Sequence, residues 1–439
     1  MYRVLALFLS LALVPSFRAD EWEQKRLDNW HQWRGPLANG FCPKGDPPIR
    51  WSEKSNIKWK APLPGRGSST PIIWQDNVFI LAAIDTGRQA TPKDIPKPDP
   101  RYEKRTKAPT TYHEFIVLCF DRQTGKERWR RVAAKRVPHE GVHPTHSYAG
   151  FSPVTDGQFL YVSFGSYGVY CYDFDGNLKW QREFGRMETR RGWGEASSPA
   201  LHKGTLVITW DHEGPSFITA LDARTGKTRW RQDRDEVTSW ATPLIVDFQG
   251  RSQVIVNATN RVRSYDLNTG EVIWECGGQT VNVIPSPIAC GDFVVCMSGY
   301  QGSCAKAIPL HSKGDVTDKA IWQLTRGTPY VPSPLLLKER IYFTQSNAPI
   351  LTSVEAKTGK IVLHRERLPG LRSLYASPVG VKDRIYIVDR DGTTAVIQHA
   401  DALKVLSVNR LDDGIDASPA IAGDELFLRG AQHLYCIAE

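Results

Sequence analysis

ALDARTGKTRW, residues 220 to 230, follows a strict spacing: Asp222, Thr225, Gly226 and Trp230 form D-x-x-T-G-x-x-x-W. The pattern returns at Asp121, Thr124, Gly125 and Trp129, and again at Asp266, Thr269, Gly270 and Trp274. Asp173, Gly176 and Trp180 are a shortened copy, and Glu355, Thr358 and Gly359 one in which Leu363 replaces the Trp. A second mark runs alongside. Ser/Thr-Pro pairs recur at Pro71, Pro153, Pro199, Pro243, Pro287, Pro334, Pro378 and Pro419, with gaps of 82, 46, 44, 44, 47, 44 and 41 residues. One gap is long and the rest cluster in the mid-forties, so the chain is an array of one repeated unit.

The unit is made of strands. Runs such as FLYVSFG (159–165) and RIYIVD (384–389) are rich in β-branched and aromatic residues and are bounded by Gly and Asp. The Asp and the Thr-Gly pair make a tight turn between the last two strands, with Gly supplying a positive φ. The Trp then packs between neighbouring units, which accounts for 14 Trp in one chain. About four strands per mid-forties repeat is the period of a β-propeller blade. The expected fold is all-β: a single eight-bladed propeller of four-stranded antiparallel blades over residues 49–439. LYCIAE (434–439) stops where the turn and Trp strand of the last unit should begin, and Asn56 to Lys60 precede the first Ser/Thr-Pro. This N-terminal strand is therefore expected to complete the C-terminal blade, since closing the ring removes exposed sheet edges.

Three segments lie outside the repeat. Arg3 followed by the apolar run VLALFLSLALV (4–14) reads as a signal peptide over residues 1–19, too short for a membrane span. Export to the periplasm or medium is expected. No Cys stands near the cleavage points, so no lipid anchor is expected. Residues 20–48 form an N-terminal extension without helical periodicity. The long first gap contains residues 86–113, with seven Lys/Arg against three Asp/Glu and five Pro. That insertion in blade 1 reads as an extended, largely solvated excursion.

Eight Cys in an exported chain raise the question of disulfides. Cys119, Cys171 and Cys436 occupy the repeat position that Ala220 holds elsewhere, which suits a small buried residue. Cys290, Cys296 and Cys304 are close enough in sequence for one bridge among them.

The Ser-Pro start, the A-x-D-x-x-T-G-x-x-x-W turn (Ala220 to Trp230) and the eight-fold count resemble the pyrroloquinoline-quinone (PQQ) type propeller repeat, over roughly residues 49 to 439. The resemblance implies the fold and leaves function open. In its quinoprotein dehydrogenases the channel holds PQQ and Ca²⁺, usually beside a Cys-Cys disulfide. This chain has no Cys-Cys pair and no C-x-x-C-H. In its non-catalytic branch, closest in size, the propeller is a scaffold for outer-membrane protein assembly. The favoured expectation is accordingly an exported, monomeric scaffold binding envelope or secreted proteins, with no cofactor, no nucleic acid and no transmembrane segment. A PQQ- and Ca²⁺-dependent oxidoreductase is the alternative, and a carbohydrate or cell-wall binding module the third reading.

Residues just before each Ser/Thr-Pro pair should ring the channel mouth. They include Arg66, Tyr148, Arg191, Trp193, Glu195, Trp240, Asn282, Tyr330, Arg372, Tyr375 and Asp416. Aromatics and a few charges converging from several blades are what a small polar ligand requires. Trp193 or Trp240 would stack on a planar ligand, Arg66, Arg191 or Arg372 would pair with carboxylates, and Glu195, Asn282 and Asp416 are the candidate cation trio. His139-Glu140-Gly141-Val142-His143 spells H-E-x-x-H, but Pro138, Gly141 and Pro144 oppose the helix a zinc protease needs. The segment belongs in an inter-blade loop, where His139, His143 and His146 remain a looser candidate for metal.

Overall fold

The computed structural model of the chain describes residues 19–439. The signal-peptide reading, apart from its last residue, lies outside them. Eight sheets carry the strand pattern of eight blades. Blade 1 starts at Ile72–Trp74, blade 2 at Val154–Thr155, blade 3 at Ala200–His202 and blade 4 at Leu244–Phe248. Blades 5 to 8 start at Ile288–Cys290, Leu335–Leu337, Val379–Val381 and Ala420–Ala422. Each of these innermost strands follows a Ser/Thr-Pro pair. Blade 8 is composite: Ile57–Pro62 pairs antiparallel with His433–Ile437, Trp59 opposite Cys436, and closes the ring.

Two sets of contacts join the blades. On the outside, the Trp of one blade lies under the turn glycine of the next at five seams, through Trp59, Trp129, Trp180, Trp230 and Trp322, while Trp274 donates to Gln253 Oε1 within its own blade. Trp180 Nε1 donates to Ala223 O at 2.8 Å, and Trp230 Nε1 to Leu267 O at 2.7 Å. Trp59 of blade 8 does the same to Arg122 O of blade 1. A Cβ on Gly226 would stand 2.7 Å from the Trp180 ring, and one on Gly270 2.6 Å from Trp230. Glycine is thus required twice over, for this approach and for a φ of 68° or 77°. The cross-strand partner of the Trp is small: Ala220 faces Trp230, Cys119 faces Trp129 and Cys171 faces Trp180. That explains the repeated Cys position. All eight cysteines are buried and free, so the bridge expected among Cys290, Cys296 and Cys304 does not form. The sheet separates them, pairing Cys296 with Lys306 and Cys304 with Ser298.

On the inside, the Ser/Thr residues form a hydrogen-bonded ring. Thr70 N–H donates to Ser152 Oγ, Ser152 N–H to Ser198 Oγ, and Ser198 N–H to Thr242 Oγ1. The chain continues through Ser286, Ser333 and Ser377 to Ser418. It stops at the seam between blades 8 and 1, where Thr70 Oγ1 has no partner among the described residues.

The extension is structured rather than trailing. It opens with a helix, Ala19–Leu27, which the sequence reading did not contain. Ion pairs Lys25–Glu21 and Arg26–Glu23 support it, and Trp22 stacks on Trp74 of blade 1 at 4.8 Å. Downstream, Phe41–Cys42 pairs with the innermost strand of blade 7. Trp51 stacks on Tyr386 there at 6.2 Å. The insertion is exposed over most of residues 91–110 but is pinned at one point. Its flanks lengthen two strands of blade 1, Asn77–Gln89 and Thr111–Asp121. Lys104 pairs with buried Glu140 and with Glu188, and Arg105 N–H donates to Arg191 O.

Candidate functional site

The channel contains a cavity of about 350 Å³. Its floor is the Ser/Thr ring, and its walls are Trp193, Trp240, Tyr300, Tyr330 and Tyr375, all half-buried. One end is closed. Trp33 of the extension rises into the channel and donates from Nε1 to Ser286 Oγ at 2.9 Å. It separates this cavity from a second, of about 650 Å³, beneath the extension. Arg34 anchors the plug: fully buried, it donates to Pro334 O and Pro378 O of blades 6 and 7. Burial without a carboxylate lowers its pKa to about 9, and its charge lies against the Trp33 ring at 5.9 Å.

The polar wall is a connected network. His143 Nδ1 lies 2.7 Å from Thr145 Oγ1, which lies 3.0 Å from Tyr375 Oη across the channel. Arg390 covers the Tyr375 ring at 4.1 Å and binds Asp416 through Nε and Nη2 at 2.6 and 3.2 Å. His146 Nε2 is 3.0 Å from Glu195 O, and burial lowers its pKa. Among the described residues, Asp416 is the one carboxylate on this lining, and no Lys or Arg is part of it.

Of the residues expected at the mouth, Trp193, Trp240, Tyr330, Tyr375 and Asp416 line the cavity. The others do not. Arg66 and Arg372 are exposed, and Arg191 lies over Trp193 at 5.5 Å with Glu103 3.7 Å away. Tyr148 packs edge-on to His113 and donates to Glu140 O. Asn282 is buried, with φ 57°. Glu195 turns into a separate small pocket behind the wall, so the trio of Glu195, Asn282 and Asp416 does not converge on a cation position. The residues missed were Trp33, Tyr300, Thr145 and Arg390. Tyr300 and Arg390 lie beyond the second strands of their blades. Neither stands in the stretch ahead of a Ser/Thr-Pro pair.

The three histidines part company. His143 and His146 face the channel, whereas His139 is buried with Glu140 and Glu195, their ligand atoms within 4.8 Å of one another. The loop bends at Gly141, which abuts the insertion backbone, and this sends His139 to the other side. His139 is already engaged on both nitrogens, by Tyr167 Oη at 3.1 Å and Met187 O at 2.6 Å. Lys104 holds the cation position on Glu140 at 2.5 Å. Glu195 accepts from Ser166 N–H at 2.7 Å through one oxygen, while the other has no hydrogen bond among the described residues and lies 3.9 Å from His139 Nε2. Burial, reinforced by Glu140, raises its pKa to about 8. Burial also lowers that of His139.

The lining does not fit PQQ with calcium. The quinone carries three carboxylates and Ca²⁺ takes six to eight oxygen ligands. Here no cation lines the cavity among the described residues, and its one carboxylate there is committed to Arg390.

Comparison with known proteins agrees with the architecture. The family model described as outer membrane protein assembly factor BamB matches residues 113–365. No curated protein matches the chain. The crystal structure of BamB from Moraxella catarrhalis superposes with a TM-score of 0.54 at 14% identity, covering 82% of this chain and 99% of that one. The computationally designed Ika8 protein gives 0.54 at 13% identity, covering 86% and 99%. At these identities the likeness concerns the fold. The family match spans more than half of the chain, and the protein therefore belongs to the PQQ-like propeller family whose model is described as outer membrane protein assembly factor BamB.

Proposed function

We propose that the protein is an exported, monomeric, non-catalytic scaffold that holds envelope or secreted proteins on its rim. The observation that supports this reading best is that the acid–base groups of the channel are already engaged. Asp416 is bound by Arg390, His146 by a backbone carbonyl and His143 by Thr145. A general acid or base must reach a substrate proton directly or through one water. The channel is also closed at one end by Trp33. The basic arm of blade 1, exposed over most of residues 91–110, lies along the rim at Arg191, and opposite charge on a partner would steer it there. The family model carries the same implication through its name.

A photo-crosslinker placed at Tyr102 in the arm, and as a control at Lys360 on blade 6, tests the reading in the exporting cell. A discrete protein adduct from position 102, absent from 360, is expected. Absence of any adduct at rim positions, together with dye reduction by the purified protein loaded with PQQ and Ca²⁺, would sink the scaffold and restore the oxidoreductase.

A further inference from the structure

The channel cavity has a chemical character that a protein-holding rim does not explain. Its floor is a circle of hydroxyls held in fixed orientation. Ser152, Ser198, Thr242, Ser333 and Ser377 each accept a backbone N–H from the preceding blade, at 2.8 to 3.0 Å. That bond uses one lone pair and leaves the O–H and a second lone pair. Among the described residues none of these hydroxyls donates to a protein acceptor, and all but the Thr are hydroxymethyl groups with little else to pack. Above them stand aromatic rings with surface still uncovered: Trp193, Trp240, Tyr300 and Tyr330. Tyr300 and Tyr330 are themselves paired, with centroids 4.8 Å apart.

We infer that this cavity is a binding site for an uncharged saccharide, with its C–H faces against the aromatic walls and its hydroxyls on the Ser/Thr floor. Three features select that class. Aromatic walls match the apolar faces of a pyranose, and hydroxyls that both donate and accept match a polyol. Among the described residues the lining offers no cation to an anionic ligand, and its one carboxylate is neutralised by Arg390. The volume of about 350 Å³ is in the range of small-molecule sites and suits one or two sugar rings. Either a free sugar or the end of a glycan presents this chemistry. The inference does not depend on the scaffold reading.

The test uses the mature protein and its indole signals. Glucose, galactose, N-acetylglucosamine, cellobiose and chitobiose are titrated by Trp fluorescence and by NMR of the indole N–H groups. Soluble polysaccharides ending in the responding sugar form a parallel arm. Saturable binding of at least one sugar is expected, weakened tenfold or more in Trp240→Ala and largely retained in Trp240→Phe. Arg372→Ala, exposed and outside the cavity, should leave it unchanged. Polysaccharide binding much tighter than the free sugar identifies a glycan end as the source, and equal affinity a free sugar. If no sugar saturates up to about 10 mM, the site is not a saccharide site. Tighter binding of glucuronate than of glucose overturns the uncharged reading. Binding that survives in a folded Trp193→Ala/Trp240→Ala double variant removes the channel from consideration.

Discussion

Blade 3 and blade 8 have the same four strands in the same order, yet one is drawn from 35 consecutive residues and the other from both ends of the chain. Blade 3 is joined to its neighbours twice over. Trp180 docks under Gly226, Trp230 under Gly270, and the inner ring runs unbroken through Ser198 and Thr242. Blade 8 keeps the outer contact, through Trp59, but the ring stops between Ser418 and Thr70. Its seam with blade 1 relies on substitutes. Arg122 binds Glu425, and buried Arg429 reaches Ser69 Oγ. The difference shows where cooperativity resides. Each ordinary seam is supported by local repeats, while the closing seam depends on a segment more than 370 residues away in sequence.

The largest effect should come from removing that segment. A chain starting at Leu63 loses Ile57–Pro62 and Trp59, and leaves His433–Ile437 as a bare sheet edge. It also loses Trp30, Trp33 and Trp51 from the core and channel. We expect aggregation and no cooperative thermal transition. A truncated protein that melts like the full chain would show that the ring does not need closing.

Next in size is the docking Trp of a regular seam. Trp230 is 8% exposed and anchored by Leu267 O. Trp230→Ala should cost about 3–5 kcal/mol, from lost burial and the cavity left behind. Leu363 holds the same position at the seam of blades 6 and 7 without any side-chain N–H to donate, so Leu363→Ala, at about 2–5 kcal/mol, should cost less than Trp230→Ala by the missing hydrogen bond. Urea unfolding of both variants checks the order. A larger loss at Leu363 would mean that the degenerate seams, not the regular ones, carry the ring.

Glu195 gives the third effect, confined to the wall of blades 2 and 3. Its folded pKa of about 8 exceeds the ordinary 4.5 because it is fully buried near Glu140. Between these values the folded state holds a proton that the unfolded state has released. Stability from this group therefore falls as pH rises from about 4.5 to 8 and is level outside that window. Glu195→Gln cannot ionise and should remove this slope. His31, whose pKa burial lowers to about 3, contributes the opposite slope below 6.5. The wild-type minus variant difference cancels it. An unchanged slope in the Gln variant would show that Glu195 is ionised in the fold.

Much of this was legible in the repeat. The D-x-x-T-G-x-x-x-W spacing encodes a turn, a glycine and a docking Trp, all local enough to read from letters. So did the missing strand of blade 8, because an array with one incomplete unit must find the remainder elsewhere. The site was legible only in part. Trp193, Trp240, Tyr330, Tyr375 and Asp416 precede a Ser/Thr-Pro mark and line the cavity. Tyr300 and Arg390 come from the loops after the second strands, which bear no mark. Glu195 stands in the same register as the lining residues, yet its side chain turns behind the wall, where a close fit against Gly165 decides its direction. Trp33 comes from a segment with no repeat character, and the nine-residue helix before it is too short and polar to show periodicity.

The finest test compares one substitution at two places in the inner ring. Thr242 Oγ1 accepts Ser198 N–H at 3.0 Å, so Thr242→Val leaves a buried amide without a partner and should cost about 1–3 kcal/mol. Thr70 is fully buried in the same register, but its Oγ1 has no partner. Thr70→Val keeps the shape, retains the Thr70 N–H bond to Ser152 Oγ, and removes a desolvated hydroxyl. It should be neutral or slightly stabilising, within about 1 kcal/mol of wild type. The two variants lose the same atoms, so their difference isolates the hydrogen bond and hence the break in the ring. Equal costs would mean that the ring is continuous in solution, with Ser418 and Thr70 joined and all eight seams alike on the inside.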